Sequence, residues 1–236
     1  MNDLDKTMRV YLLSTELVYR IRTGWDDDHW NVQAVRRESI AEHVYAVIML
    51  AISISSTLKV KVNLERVILM LAIHEIGEVL CGDITPFDGI TPEEKARIEH
   101  KAMFMMLDGL TTQDELYALL LEFDKHETPD AKFAYYCDKL QANIQSKWYQ
   151  DHGFQNELSN QENNVAFKSK KCQAILREGA HTVFDIWYKN DITLFEGNPI
   201  FTSLMDWLKE NDLYLFEKND KTHSNYETWL ANNNYA

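Results

Sequence analysis

Apolar residues recur at helical spacing along most of the chain. In residues 6–22, Met8, Tyr11, Leu12, Leu17 and Ile21 fall roughly on one helical stripe. The segment LERVILMLAIHEIGEVL (64–80) is apolar nearly all round, which is typical of a helix at the centre of a fold. No stretch shows a convincing two-residue alternation of a half-buried strand. The pattern therefore predicts an all-α protein built around a helix at 64–80.

Polar residues mark where several of these helices begin. Ser39-Ile40-Ala41-Glu42 has the form of a capping box and predicts a helix to about residue 57. Thr91-Pro92 and Thr128-Pro129 each combine an N-cap with a proline at the first helical position. Asn63 can cap the central helix. Further helices are predicted near 113–125, 166–190 and 199–210, with NELSNQENN (156–164) as an exposed connection. We expect a core at 1–212 and a polar C-terminal tail at 213–236.

Composition narrows the classes of partner and compartment. The formal charge of −13 disfavours binding to nucleic-acid polymers or anionic membranes, although one cation in a pocket can still bind a small phosphorylated molecule. Three scattered cysteines predict free thiols rather than a disulfide framework. The N-terminus lacks a signal-peptide pattern, and we expect no apolar stretch near the ~20 residues that span a bilayer. These features predict a soluble cytoplasmic protein.

Titratable residues occur where the pattern predicts buried helices. His43 follows the capping box, His74 lies in the central helix, and Asp138 lies within FAYYCDKLQA. A buried aspartate is costly unless it is paired or bound to a cation. Residues on three helices can converge on one cation, although a lone histidine on such a face is more often a satisfied core residue. Polar core residues that pair only with each other are the alternative.

The spacing His…His-Glu…Asp resembles the signature of the HD superfamily of metal-dependent phosphohydrolases. Within it, the chain is most similar to the small 5'-deoxynucleotidase-type proteins. The resemblance implies an all-α HD-domain helical bundle with a metal site at its centre, held by His43, His74, Glu75 and Asp138. The matching stretches are RTGW (22–25), RRESIAEHVY (36–45), HEIGEVLCGDITP (74–86), TPEEKARIEHKAM (91–103), ETPDAKFAYYCDKLQA (127–142) and NPIFTSLMDWLKEND (198–212).

The same resemblance implies hydrolysis of (deoxy)nucleoside 5'-monophosphates to phosphate and nucleoside. Two imidazoles and two carboxylates suit one divalent transition metal, and Mn, Co, Fe, Ni and Zn all remain open. Glu78 and Asp83 match catalytic acids, and the sequence does not assign which one orients water and which one protonates the leaving oxygen. Arg22 matches a phosphate-binding arginine and Trp25 a residue near the nucleoside. Family members of this size imply a homodimer.

One residue departs from the family pattern, because Glu75 stands where the signature has aspartate. Glutamate also ligates such metals, so we expect it to remain a ligand. Two alternatives stay open. His100 and His126 could recruit a second metal, as in dinuclear phosphodiesterases or oxygenases of the superfamily. A degenerate HD fold could instead serve as a non-catalytic nucleotide-binding module.

Overall fold

The computed structural model describes residues 2–220, and within that range all regular structure is helical. Its one extended pairing is an isolated antiparallel bridge between Ile21 and Ser39. The all-α prediction is confirmed. The helices are α1 (Asp3–Thr15), α2 (Ile40–Thr57), α3 (Leu64–Ile73), α4 (Glu78–Cys81), α5 (Pro92–Leu107), α6 (Gln113–Lys125), α7 (Pro129–Asp151), α8 (Val165–Lys168), α9 (Lys170–Arg177), α10 (Val183–Asp191), α11 (Pro199–Glu210) and α12 (Leu213–Asn219).

Helix α7 lies at the centre of the bundle and contacts six other helices. It packs against α2, α3 and α6 on one side and against α10, α11 and α12 on the other. A large apolar cluster joins Val47 of α2, Leu71 of α3 and Leu140 of α7. A second cluster, rich in tryptophan, contains Trp25 and Trp187. The cavity described below is bounded by both clusters.

Local capping fixes the register of the two helices that carry His43 and Asp138. The Ser39 hydroxyl accepts a hydrogen bond from the Glu42 amide at 3.2 Å, and the Glu42 carboxylate accepts one from the Ser39 amide at 2.8 Å. This is the predicted capping box, which starts α2 at Ile40. Thr128 caps α7 in a similar way through the Ala131 amide.

The central helix is shorter than the sequence predicts. It ends at Ile73, and two tight i−3 hydrogen bonds follow, from Ile76 N to Ile73 O and from Glu78 N to Glu75 O, each 3.0 Å long. Helix α5 approaches this turn closely, since a Cβ on Gly77 would lie 2.9 Å from Cγ of Met103 on α5. Close packing of α5 thus coincides with a compact turn between α3 and α4.

The apolar stripe predicted in the first helix is not buried. Met8, Tyr11 and Leu12 remain 49%, 59% and 55% exposed. Helix α1 is instead held at its polar edge, where the Arg9 guanidinium donates to backbone carbonyl oxygens near the end of α5. Leu17, just beyond α1, is buried.

Two predicted segments differ in detail. The connection at 156–164 is not wholly exposed, because Gln161 is fully buried and its amide donates to the Trp30 carbonyl at 2.8 Å. The predicted tail begins with the helix Leu213–Asn219, whose Leu213 packs against Phe184. Residues 221–236 of that tail lie outside the described residues.

Helix α2 is, by length and composition alone, apolar enough to cross a membrane, contrary to the expectation of no such stretch. In the fold it packs against α3 and α7 and buries His43, Val47 and Ala51. The core helix of a bundle meets the same criterion of length and composition.

Candidate metal centre and cavity

The four predicted ligands converge, although they come from separate elements of the chain. Helix α2 supplies His43, the turn after α3 supplies His74 and Glu75, and α7 supplies Asp138. One ligand atom from each lies within 4.8 Å of all the others. His43 Nε2 is 3.0 Å from Asp138 Oδ1 and 3.5 Å from Glu75 Oε1, and His74 Nε2 is also 3.5 Å from Glu75 Oε1.

Neighbouring acceptors orient both imidazole rings. His74 Nδ1 lies 2.7 Å from the Leu71 carbonyl oxygen, and His43 Nδ1 lies 2.6 Å from Gln141 Oε1. The Gln141 amide nitrogen donates to Glu38, so its oxygen faces His43. Because these oxygens only accept, each Nδ1 carries a hydrogen and each Nε2 points into the cluster. This is the usual outer hydrogen bonding of metal-binding histidines.

The donor set fits a divalent cation. His74 Nε2 is buried and has no hydrogen-bond partner among residues 2–220. Buried polar atoms are rarely left unpaired, so this nitrogen indicates a ligand-binding role. Two neutral imidazole nitrogens with two carboxylate oxygens are suited to borderline metals.

The ionisation of the cluster shows strong mutual pairing. Burial and the nearby Arg22 charge lower the pKa of His43, but hydrogen bonds to Asp138 and Glu75 outweigh them and raise it from 6.5 to about 9. Burial raises the pKa of Asp138, yet the Lys139 ammonium and the imidazoles hold it well below its usual range. A proton on His43 therefore balances part of the carboxylate charge when no cation is bound.

Arg22 lies directly against the cluster. Its Nη1 donates to Glu75 Oε1 at 2.7 Å, and its Nε is 3.6 Å from Asp83 Oδ2. The same Asp83 oxygen accepts a hydrogen bond from the Thr23 amide at 2.8 Å. Arg22, the predicted phosphate-binding residue, thus contacts both Asp83, a predicted catalytic acid, and Glu75, a predicted metal ligand.

Glu78 is nearly fully buried, and its Oε2 has no hydrogen-bond partner in the described part of the chain. Burial and the charges of Asp83 and Glu75 raise the pKa of Glu78 well above its usual value. The protonated form of Glu78, which can donate a hydrogen bond or a proton, is thus favoured in the cation-free protein.

A cavity of about 610 Å³ opens beside the cluster. Its lining includes every predicted site residue except His43, which lies behind the wall: Arg22, Trp25, His74, Glu75, Glu78, Asp83 and Asp138. Trp25 contributes little surface, since it is 2% exposed and its indole N–H donates to Glu38 at 2.8 Å. It also packs against Tyr149 and Trp187. Trp25 is therefore chiefly a core aromatic at the cavity edge.

Sequence reasoning missed Lys139. Its ammonium lies 2.8 Å from Asp138 Oδ2 and lines the cavity, so it holds the carboxylate oxygen that faces away from the cluster histidines. The only available signal was its position directly after Asp138. Two further cavity residues that reasoning missed are Lys171 and Asp191.

The histidines considered for a second metal do not join the four-residue group. His100 Nε2 lies 2.5 Å from Asp124 Oδ2, and the His126 ring stacks on Tyr135 with centroids 4.2 Å apart. Within residues 2–220, the metal-compatible group contains His43 and His74 as its only histidines. The geometry therefore favours one cation over a histidine-rich dinuclear site.

Comparison with known proteins agrees with this architecture. A family model described as an HD domain matches residues 16–178. The chain is 31% identical to the 5'-deoxynucleotidase HDDC2 of Danio rerio over 152 residues, which cover 63% of this chain and 72% of that protein. It is 34% identical to the Homo sapiens 5'-deoxynucleotidase HDDC2 over 133 residues, which cover 55% and 61%.

Solved structures share the fold at low sequence identity. A predicted metal-dependent phosphohydrolase from Magnetospirillum magnetotacticum aligns with a TM-score of 0.62 and 22% identity over 89% of this chain and 93% of its own. A conserved hypothetical protein from Pyrococcus furiosus aligns with a TM-score of 0.60 and 20% identity over 86% and 99%. The family model spans most of the chain, including all four converging ligands, and the chain belongs to the HD-domain family.

Proposed function

We propose that this protein is a metal-dependent phosphomonoesterase that converts (deoxy)nucleoside 5'-monophosphates to phosphate and nucleoside. The observation that carries the proposal is the position of Arg22, which lies beside the four-residue metal group and lines the adjoining cavity. A planar guanidinium next to a cation site is suited to phosphate. The relatives named 5'-deoxynucleotidases supply the substrate class.

His43, His74, Glu75 and Asp138 would hold one divalent transition metal, with Mn, Co, Fe, Ni and Zn as candidates. What the bound cation supplies is charge stabilisation at the phosphoryl group and a lower pKa for the attacking water. The protein supplies the rest. Arg22 orients the phosphate, and its pairing with Glu75 fixes the direction of its fork.

Glu78 and Asp83 divide the proton transfers. Asp83 has its Oδ2 engaged by the Thr23 amide and lies near Arg22, an environment that suits a carboxylate that accepts a proton from water. The pKa of Glu78 is raised by burial and by the charges of Asp83 and Glu75, so Glu78 is the better candidate to protonate the leaving 5'-oxygen. Trp25, a core aromatic at the cavity edge, would lie near the nucleoside.

The proposal is tested by measuring phosphate release from a panel of deoxynucleoside and ribonucleoside 5'-monophosphates. The protein is stripped of metal and then loaded with each candidate cation in turn. Asp83→Asn should abolish turnover, whereas Asp108→Asn, at an exposed helix end, should retain it. Arg22→Lys should raise KM by about ten-fold, because the ammonium cannot reproduce the two-pronged contact. No release with any cation would refute the proposal.

We also propose a cytoplasmic homodimer that binds neither nucleic-acid polymers nor membranes. The charge of −13 supports the last two points, and the free thiols of Cys81, Cys137 and Cys172 support the compartment. For the dimer, Tyr45 and Met49 on the outer face of α2 are 68% and 42% exposed. Sedimentation velocity should give a species of twice the chain mass, and Tyr45→Glu should shift that species towards the mass of a single chain. Co-sedimentation with anionic vesicles would refute the membrane statement.

A further inference from the structure

A buried histidine outside the metal group links two loops at the cavity wall. His29 is 7% exposed, and both of its ring nitrogens meet carboxylates. Nδ1 lies 2.9 Å from Asp26 Oδ1, and Nε2 lies 2.6 Å from Asp88 Oδ1. Asp26 belongs to the segment after Trp25, and Asp88 belongs to the loop after α4.

The Asp88 carboxylate closes a turn in the cavity wall. Its Oδ2 accepts a hydrogen bond from the Thr85 amide at 2.6 Å, so His29 and Thr85 hold opposite oxygens of the same group. Asp83, Ile84 and Thr85 all line the cavity. The wall segment 83–88 is thus tied at one end by Asp83 to the Thr23 amide and at the other by Asp88 to His29.

His29 is itself firmly anchored. Its carbonyl oxygen accepts a hydrogen bond from the Asn164 side chain at 2.5 Å, and the neighbouring Trp30 carbonyl accepts one from Gln161 at 2.8 Å. The Trp30 ring packs edge-on against Phe87 of the wall segment, with centroids 5.5 Å apart. These contacts hold the loop that presents the imidazole to the wall segment 83–88.

We propose that His29 is a positioning residue, which fixes the 83–88 wall and with it the carboxylate of Asp83 through its bond to Asp88. Both flanking carboxylates are acceptors, so only an imidazolium can donate to both of them. Neutral imidazole has one N–H and would leave one lone pair facing a carboxylate oxygen. The activity arm of this inference rests on the proposed function, whereas the structural arm does not.

The carboxylates of Asp26 and Asp88 contact the ring, and the uncharged side-chain amide of Asn164 donates to the His29 backbone carbonyl. Burial lowers the pKa of His29, but the hydrogen bonds to Asp88 and Asp26 outweigh this effect and raise it above 6.5. The doubly donating form is therefore favoured below that raised pKa, and the link weakens as pH rises through it.

Two substitutions at one position separate the two contacts. His29→Gln places an amide nitrogen where Nε2 was and keeps a donor for Asp88. His29→Asn places one where Nδ1 was and keeps only the contact to Asp26. Because both are neutral amides at the same site, each is the matched control of the other. Asp88→Asn removes the same link from its other end.

Hydrogen–deuterium exchange tests the position of the wall without any substrate. The Thr85 amide should exchange at least ten-fold faster in His29→Asn and Asp88→Asn than in the wild type, and nearly normally in His29→Gln. After correction for intrinsic rates, wild-type protection should fall as pH rises through the raised pKa of His29, and His29→Gln should not show that fall. Equal exchange in His29→Asn and His29→Gln would overturn the inference, as would a loss of protection spread over the whole chain.

Phosphate release from a deoxynucleoside 5'-monophosphate is measured in parallel. His29→Asn should lower kcat on the order of ten-fold, the effect expected for loss of a charge-assisted hydrogen bond, with a smaller change in KM because Arg22 is untouched. His29→Gln should retain most of the activity. If the wild type has no activity but exchange behaves as expected, the proposed function fails and the positioning role stands. Normal kcat in His29→Asn overturns the role.

Discussion

Cation binding should expel a proton from His43. In the cation-free protein this ring is buried, its Nε2 lies 3.0 Å from Asp138, and its pKa is about 9. Nε2 is also the atom that His43 offers to a metal, since Nδ1 is held by Gln141. A proton and a cation therefore compete for the same lone pair.

The size of this competition follows from the pKa. At pH 7 a group with a pKa of about 9 is almost fully protonated, so each cation bound should release about one proton. The apparent association constant should rise about ten-fold per pH unit between pH 6 and 8 and level off above about pH 9. Relative to an unperturbed histidine, the shift corresponds to about 3 kcal/mol.

Isothermal titration calorimetry with Mn²⁺ in two buffers of different ionisation enthalpy counts the released protons. His100→Gln is the matched control, because His100 is also paired with an aspartate but lies outside the metal group. It should leave both the proton count and the pH slope unchanged. A wild-type affinity that does not vary with pH, with no proton released, would refute the assignment of His43 Nε2 as a ligand.

Three further predictions concern stability. Because the pKa of His43 is raised in the fold, the stability that His43 contributes is complete below pH 6.5 and lost as pH rises to about 9. The free energy of unfolding of the cation-free protein, measured in urea, should therefore fall by up to about 3 kcal/mol over that interval. A flat profile would contradict this. Gly77→Ala should lower the free energy of unfolding by about 1–3 kcal/mol, because the new Cβ would meet Met103. A midpoint of thermal unfolding equal to that of the wild type would show instead that α5 can move aside without cost. Ser39→Ala should lower the free energy of unfolding by about 1 kcal/mol through loss of the capping box with Glu42. An unchanged midpoint of chemical denaturation would show that the cap does not stabilise the fold.

The sequence was informative about this site where local signals fix a residue's place on a helix. The cap at Ser39 sets His43 one turn into α2, and the cap at Thr128 sets Asp138 within α7. Helix α2 buries His43, and helix α7 buries Asp138. Their meeting at one point needed only the packing of α2 against α7.

Tertiary contacts explain what the sequence did not show. The apolar pattern continues through residues 74–80, so nothing local announces the break after Ile73, which accompanies the contact between Gly77 and Met103. The link from His29 to Asp88 joins residues 59 positions apart. Such pairs have no periodicity, and one sequence alone cannot bring them together.

The glutamate at position 75 is best understood through the charge of the whole site. Its Oε1 remains within the metal group and also accepts from Arg22, so the extra methylene leaves it joined to both. Glu75, Asp83 and Asp138 are faced by Arg22, Lys139 and a protonated His43.

This balance explains how a chain with a charge of −13 can offer a site to a phosphate. Two of the fixed cations that line the cavity, Arg22 and Lys139, lie against these carboxylates, whereas the His43 proton lies behind the cavity wall. Exchange of that single proton for a divalent cation makes the group more positive by one unit. The loaded site therefore favours an anion more than the cation-free site does, and this is why phosphate affinity should depend on the cation even before any bond is broken.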